Sequence, residues 1–396
     1  MKYAICVGDG MADFPIPELN GMTPLEYAKT PGMDSIAASG YVGRVQTVPD
    51  GLPPGSDVAN MSLLGYDARR YYQGRAPIEA ASMGIALKTN ETAFRCNLVT
   101  LQNGKMADYS AGHIETGVAR ELIEELQEKL GNGRTRFYSG VSYRHLMVVA
   151  GVPTGKLDCT PPHDISGKTW REYVPRGAGG DELLSIMDRA RAVLAESEIN
   201  RRLIDKGKLP ATDIWLWGQG RAIELPSMMD RYGLTGSVIS AVDLVQGLGV
   251  LAGLSVRKVT GATGYLGTNY AGKVEAARRS LQEQDFVFIH IEAPDETSHE
   301  GSLNKKIQAI EEFDSNIVAE ILKLKNEFKD LRILALPDHA TPVSLKTHHA
   351  MPVPFTVCGP AVKHGDANAY SEKAAAGKPF ITAESLFETF IKGTFK

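Results

Sequence analysis

Cysteine is scarce and scattered. Cys6, Cys96, Cys159 and Cys358 form no C-x-x-C pair, so neither a zinc knuckle nor a disulfide framework is indicated and a reducing cytoplasm suits the chain. Charge of one sign is missing too: 43 Lys and Arg stand against 47 Asp and Glu, a formal charge of -4, and nothing in that balance advertises nucleic acid. The opening stretch, MKYAICVGDGMAD, has too few apolar residues before Gly8 and Asp9 for a signal peptide or a membrane span. The expectation is a cytoplasmic protein without a membrane partner. Nucleotide loops are absent as well. There is no G-x-x-x-x-G-K-[ST], and neither GDGMAD nor GQGRAI completes G-x-G-x-x-G, so ATP use through the familiar loops is unsupported.

What is present is a chain of 396 residues, enough for two domains or for one large domain with an insertion. Short apolar, β-branched runs recur at 3–7, 145–150, 213–217, 237–242, 286–291, 332–336 and 354–358, several of them reading as buried parallel strands. Helical patterns at 119–130, 181–204, 273–284 and 305–328 alternate with them, which predicts an α/β sheet wound on both faces. From about Thr89 to about Pro210 the texture changes, with an N-G turn at Asn103 and Gly104 and a passage rich in Pro and Gly from Pro161 to Gly180. This predicts a smaller α+β domain, 89–210, inserted between core segments 1–88 and 211–396.

Acids and histidines collect where strands end. Asp9 follows the first apolar run, Asp295 and His299 follow FVFIHI, Asp338 and His339 follow RILAL, and KTHHAMPVP adds His348 and His349. Ligands of open α/β sheets bind beyond the carboxyl ends of strands. Carboxylates mixed with imidazoles suit Mn, Zn or Co, and Mg where oxygen dominates, and so many donors suit a pair of ions. Each group alone also has an ordinary reading: Asp9 or Asp338 as a turn acid, Asp295 as a helix cap, and His299 as a polar helix residue. His113, His145 and His163 read as hydrogen-bonded or surface histidines, and His290, inside an apolar run, as facing the core or a neighbouring strand. Ser56, in PPGSDVANMSLLGYD, reads locally as a helix N-cap. Beside a metal it reads instead as a nucleophile that carries a phosphate at a helix N-terminus.

The motifs GDGMAD (8–13), TPLEYAKTPGMDSIAASG (23–40), PPGSDVANMSLLGYD (53–67), YYQGRAPIEAAS (71–82), GVSYRH (140–145), PHDISGK (162–168), GATG (261–264), EAPDETSHEG (292–301) and PDHATPVSLKTHHAMPVPF (337–355) span nearly the whole chain. In them the chain resembles the cofactor-independent phosphoglycerate mutases of the archaeal type, within the alkaline phosphatase superfamily. The resemblance implies an alkaline-phosphatase-like doubly wound sheet and a phosphorylated Ser56. One metal would be held by Asp9, Ser56, Asp338 and His339, and the other by Asp295, His299 and His348. His348 is chosen over His349 because the pattern places a His four residues before the Pro of the PVP run, here Pro352. Arg75, Arg144 and Arg221 lie in matching motifs and suit a substrate with a carboxylate and a phosphate, with Lys273 a further cation near the phosphoryl group.

The resemblance further implies interconversion of 3-phosphoglycerate and 2-phosphoglycerate, a small phosphorylated hydroxy acid pair. It calls for two divalent ions, manganese first and magnesium, zinc or cobalt as alternatives, with no bisphosphoglycerate and no nucleotide. The inserted domain would close over the site to exclude water. A homoserine kinase, as proposed for members of this length group, and a phosphatase are the alternatives, because the motifs define transfer through serine and not the acceptor.

Overall fold

The computed structural model describes residues 1–153 and 155–395. The chain forms two compact units, Met1–Tyr72 with Glu224–Lys396, and Gln73–Ile223. The second unit is wider than the 89–210 expected from texture. At its front end the helix Arg75–Ser82 packs on the strands Glu91–Gln102 and Asp213–Arg221. At its rear the last of these strands pairs through to Arg221.

The first unit is built on an eight-stranded sheet in the order Ser255–Val256, Gly236–Ile239, Phe286–Ile291, Lys2–Gly8, Leu331–Leu336, Val353–Cys358, Tyr41–Gln46, Phe380–Thr382. Pairing is parallel except for Val353–Cys358, which runs antiparallel to both neighbours. The run at 354–358 is thus a strand of this sheet, though not one of its parallel ones. The central strand Lys2–Gly8 is buried over nearly its whole length, as a strand covered on both faces must be. Ala4 and Cys6 join a core with Met33, Ile36, Ala277 and Phe313 from the helices on one side. Tyr3, pointing the other way, meets Phe390 edge to face at 5.7 Å. The sheet is therefore wound on both faces, with Phe286–Ile291 and Leu331–Leu336 flanking the first strand.

The helical run expected at 305–328 is interrupted. Leu303–Phe313 passes into a π turn at Asp314–Val318 before helix resumes at Ala319–Lys323. At that turn the buried Asp314 carboxylate accepts the amides of Gly32 and Met33 at 2.8 and 2.6 Å, satisfying the start of the helix Pro31–Ala38.

The second unit is antiparallel. Glu91–Gln102 pairs with Arg144–Ala150 and Asp213–Arg221, while Thr135–Val141 and Lys105–Asp108 extend the sheet. The runs at 145–150 and 213–217 are thus strands, but not parallel ones. Asn103 and Gly104, at φ of 51° and 73°, make the tight hairpin that N-G specifies. Phe94, Cys96 and Leu98 point into a core with the helices Thr116–Leu130 and Gly180–Glu196, and Ala93 packs on Ala76 and Ala80 of the opposite face. The helical pattern at 181–204 breaks at Ser197, whose extended backbone and capping hydroxyl begin a second helix, Glu198–Asp205.

Candidate metal centre

Two strand ends of the first unit deliver the first charged groups. Asp9 follows Gly8, and Asp338 with His339 lies just beyond Leu331–Leu336; all three are buried. The turn after Asp9 requires a glycine. Gly10 has a φ of +61°, and a Cβ there would stand 2.5 Å from Asp295 Oδ1 and 2.6 Å from Thr341 Oγ1. Its amide donates to Asp338 Oδ1 at 3.1 Å, joining the first strand's loop to the second's.

Gly55 takes the cap position, and Ser56 is the first residue of the helix Ser56–Leu63. Its hydroxyl makes no capping bond. Oγ lies 3.3 Å from Asp9 Oδ2 and 3.2 Å from His339 Nε2. One turn later Asn60 donates to Asp338 Oδ2 at 2.7 Å. Asp9, Ser56, Asp338 and His339 therefore form one cluster.

Asp295 and His299 share a face of the helix Ala293–His299, with His299 Nε2 3.1 Å from Asp295 Oδ2. His348 Nε2 completes this group, 3.1 Å from His299 Nε2 and 3.6 Å from Asp295 Oδ1. His349 turns away: its ring meets Phe14 at 5.1 Å and its Nδ1 accepts the Met351 amide. Donor atoms of Asp9, Asp295 and His339 all lie within 4.8 Å of one another, so the two groups adjoin.

The residues fit divalent cations on chemical grounds. His299 Nδ1 lies 2.9 Å from the Lys346 carbonyl. That contact holds a ring N–H on Nδ1 and turns Nε2 toward Asp295 and His348, where a bound cation would displace the Nε2 proton. The hydrogen bond to Asp295 pushes the His299 pKa up to about 9. Burial alone would raise Asp295, but its bonds to His299 and His348 hold it well below the usual carboxylate range. Burial first, then repulsion from Asp338, Asp295 and Glu292, drives the Asp9 pKa well up. Asp9 Oδ1 has no hydrogen-bond partner. Crowded buried carboxylates of this kind call for positive charge.

The contacts of His290 and Thr341 with the cluster escaped the sequence reading, whereas Lys273 was among its candidates. His290 reaches out of its strand toward the Asp9 loop, with Nε2 3.0 Å from Asp9 Oδ2 but without hydrogen-bond geometry; burial lowers its pKa to about 4. It was expected to face the core or a neighbouring strand. As the one polar side chain in FVFIHI, it carried the only signal. Thr341 Oγ1 donates to Asp295 Oδ1 at 2.5 Å and lies 3.2 Å from His339 Nδ1. Lys273 is buried behind the cluster, Nζ donating to the His290 carbonyl at 3.2 Å, and burial lowers its pKa to about 8 against the pull of Glu292.

In the second unit Glu79 gathers arginines. Arg75 Nε lies 3.0 Å and Arg95 Nε 2.9 Å from its two oxygens, and Arg144 adds to the field that keeps Glu79 ionised against its burial. Arg95, unnoticed within AFRCNL, also stacks over Trp217 at 4.2 Å. Arg221 is the exposed last residue of its strand. His145 is buried, its Nδ1 accepting the Gly140 amide at 3.0 Å. His113 and His163 are exposed, each with its ring against Tyr109.

A family model described as 2,3-bisphosphoglycerate-independent phosphoglycerate mutase matches residues 37–200. A Methanosarcina barkeri protein of that name is 54% identical over 377 residues, 95% of each chain. A Geobacter sulfurreducens protein, named as a probable enzyme of the same kind, is 50% identical over 98% of each chain. Among solved structures, a cofactor-independent phosphoglycerate mutase from Thermoplasma acidophilum is 26% identical with a TM-score of 0.68 and 99% coverage of each chain. A Pyrococcus horikoshii protein reaches a TM-score of 0.83 at 27% identity, covering 100% of this chain and 98% of its own. By sequence along nearly its full length, the chain belongs to the 2,3-bisphosphoglycerate-independent phosphoglycerate mutase family.

Proposed function

We propose that this chain interconverts 3-phosphoglycerate and 2-phosphoglycerate through a phosphoserine on Ser56, using neither bisphosphoglycerate nor nucleotide. Family membership supports the reaction. The observation that carries the route is the Ser56 hydroxyl, at the first position of a helix and within 3.3 Å of both Asp9 and His339. In this reading Asp9, Ser56, Asp338 and His339 hold one divalent cation, and Asp295, His299 and His348 hold the other. When bound, such a pair supplies charge that lowers the pKa of a hydroxyl and stabilises phosphoryl oxygens. The donor set suits manganese, with magnesium, zinc or cobalt as alternatives.

Ser56 Oγ attacks the phosphorus, its hydroxyl proton leaving along the hydrogen bond to Asp9 Oδ2. The Oγ–P bond forms and the bond from phosphorus to the C3 oxygen breaks, its electron pair staying on that oxygen, which takes up a proton. Glycerate then turns, and its C2 hydroxyl gives up its proton as the C2 oxygen bonds to phosphorus; the Oγ–P bond breaks, its electron pair stays on Oγ, and Oγ takes up a proton to restore the serine. The dipole of the helix Ser56–Leu63 favours negative charge at Ser56. The Lys273 ammonium adds positive charge behind His290. Arg75, Arg144 and Arg221 are assigned the substrate's carboxylate and phosphate, groups that suit guanidinium forks.

The test incubates the manganese-loaded protein with 3-phosphoglycerate, without bisphosphoglycerate or nucleotide, and follows chelator-quenched aliquots by phosphorus NMR. A growing 2-phosphoglycerate signal is expected. Free phosphate alone would make the protein a phosphatase, and an unchanged spectrum would overturn the reading.

A further inference from the structure

Lys306, on the helix Leu303–Phe313, is wholly buried, and the route above gives it no task. Its ammonium donates to the Ala12 carbonyl at 3.2 Å, the Thr341 carbonyl at 2.9 Å and Asp13 Oδ2 at 2.8 Å. Ala12 and Asp13 belong to the loop that leaves the first strand through Asp9, and Thr341 to the loop that follows Asp338 and His339. Asp13 Oδ2 also accepts the Val343 amide at 3.0 Å, so the carboxylate repeats the same connection.

The two loops meet directly as well. The Thr341 amide donates to the Ala12 carbonyl at 3.2 Å, and Ala340 bridges to Met11 and Ala12 on one side and to His349 on the other. From there Thr341 Oγ1 reaches Asp295 and His339. Lys306 itself follows closely on the helix that bears Asp295 and His299, against which its own helix packs. Two ligand-bearing loops thus meet at one ammonium, on a helix that packs against a third such segment.

Burying an ammonium is costly even when it is paired, and apolar replacements of a buried pair are often at least as stable. Stability alone does not explain Lys306. A tetrahedral ammonium with its three hydrogens directed at three oxygens is, however, a fixed point that holds two loops at one separation.

We propose that Lys306 is a positioning residue for the metal centre. Its ammonium sets the spacing of the Asp9 loop against the Asp338–His339 loop and, through Thr341, the placement of Asp295, so that both cation sites are formed before an ion arrives. This rests on the reading of Asp9, Ser56, Asp295, His299, Asp338, His339 and His348 as cation ligands.

The full-length protein, stripped of metal, is titrated with manganese by calorimetry, and the spin coupling of the bound pair is read by electron paramagnetic resonance. Lys306→Met is expected to weaken manganese binding roughly tenfold to a hundredfold, the effect of removing a support behind metal ligands, and to alter the coupled signal. Because this variant strands the Asp13 charge, Lys306→Met with Asp13→Asn is measured alongside it. Asp314→Asn, which removes a helix cap farther along the same helical run, is the control and should lower thermal stability without changing manganese affinity. Native affinity and coupling in either Lys306 variant, or an equal loss in the control, overturns the positioning role. Failure of the unaltered protein to bind two manganese ions would overturn the ligand reading and this inference with it.

Discussion

Ser56 and His290 show how a residue's surroundings in the fold displace its local meaning. A serine after Pro-Pro-Gly reads as a cap, yet Gly55 caps the helix and the hydroxyl turns to Asp9 and His339. Ser56→Ala is expected to lower turnover by several orders of magnitude with circular dichroism unchanged. Substantial mutase activity in that variant would remove the phosphoserine route. His290 sat in an apolar run with no pattern to show which way it pointed, and the parallel pairing of its strand with Lys2–Gly8 is what brings it to Asp9. His145 makes a prediction of another kind. Burial lowers its pKa from 6.5 to about 3, so between those values the unfolded chain binds a proton that the folded chain refuses. Stability is lost as pH falls through that window, by up to about 1.4 kcal/mol per pH unit. His145→Asn cannot titrate there, so its stability deficit against the unaltered protein should shrink from pH 7 to pH 4. A deficit independent of pH in denaturant melts would contradict the assignment.

At the scale of elements, the proposed ligands were legible because most follow a recognisable piece of structure. Asp9 and Asp338 come just after apolar strands, and Asp295 and His299 are spaced to share a helical face. His348 and His349 were separable only by the resemblance, since adjacent loop residues follow no period; in the fold the His349 amide donates to the Ala340 carbonyl and its ring lies on Phe14, while His348 meets His299. The limits of the second unit were harder to read, because its first helix and the end of its last strand resemble the chain on either side. At that boundary the backbone packs too closely for side chains: a Cβ on Gly74 would lie 2.0 Å from the Gln219 carbonyl, and one on Gly220 2.0 Å from the Gln73 carbonyl. Gly220→Ala is expected to destabilise the protein by roughly 1–3 kcal/mol, the usual cost of overpacking. A denaturation midpoint within error of the unaltered protein would show that the strand end yields.

For the whole molecule, cations matter to stability as well as to chemistry, because anything that binds the folded state and not the unfolded one stabilises it by mass action. The Asp9 carboxylate is buried amid the charges of Asp338, Asp295 and Glu292. Manganese is therefore expected to raise the melting temperature in a concentration-dependent way, and thorough chelation to abolish mutase activity until the ion is restored. Full activity in metal-free protein would remove the two-cation account. No helix among the described residues is long and apolar enough to cross a membrane.

The sequence by itself determined the α/β alternation, the N-G hairpin, and the acids and histidines at strand ends, since apolar periodicity and turn chemistry act over a few residues and are written there directly. It also carried the family, through motifs distributed along the chain. The tertiary structure alone decided that His290 meets Asp9, that Arg95 shares Glu79 with Arg75, and that Lys306 joins loops more than 300 residues apart in the chain. Those outcomes depend on strand order and on contacts between distant segments, which no local pattern encodes.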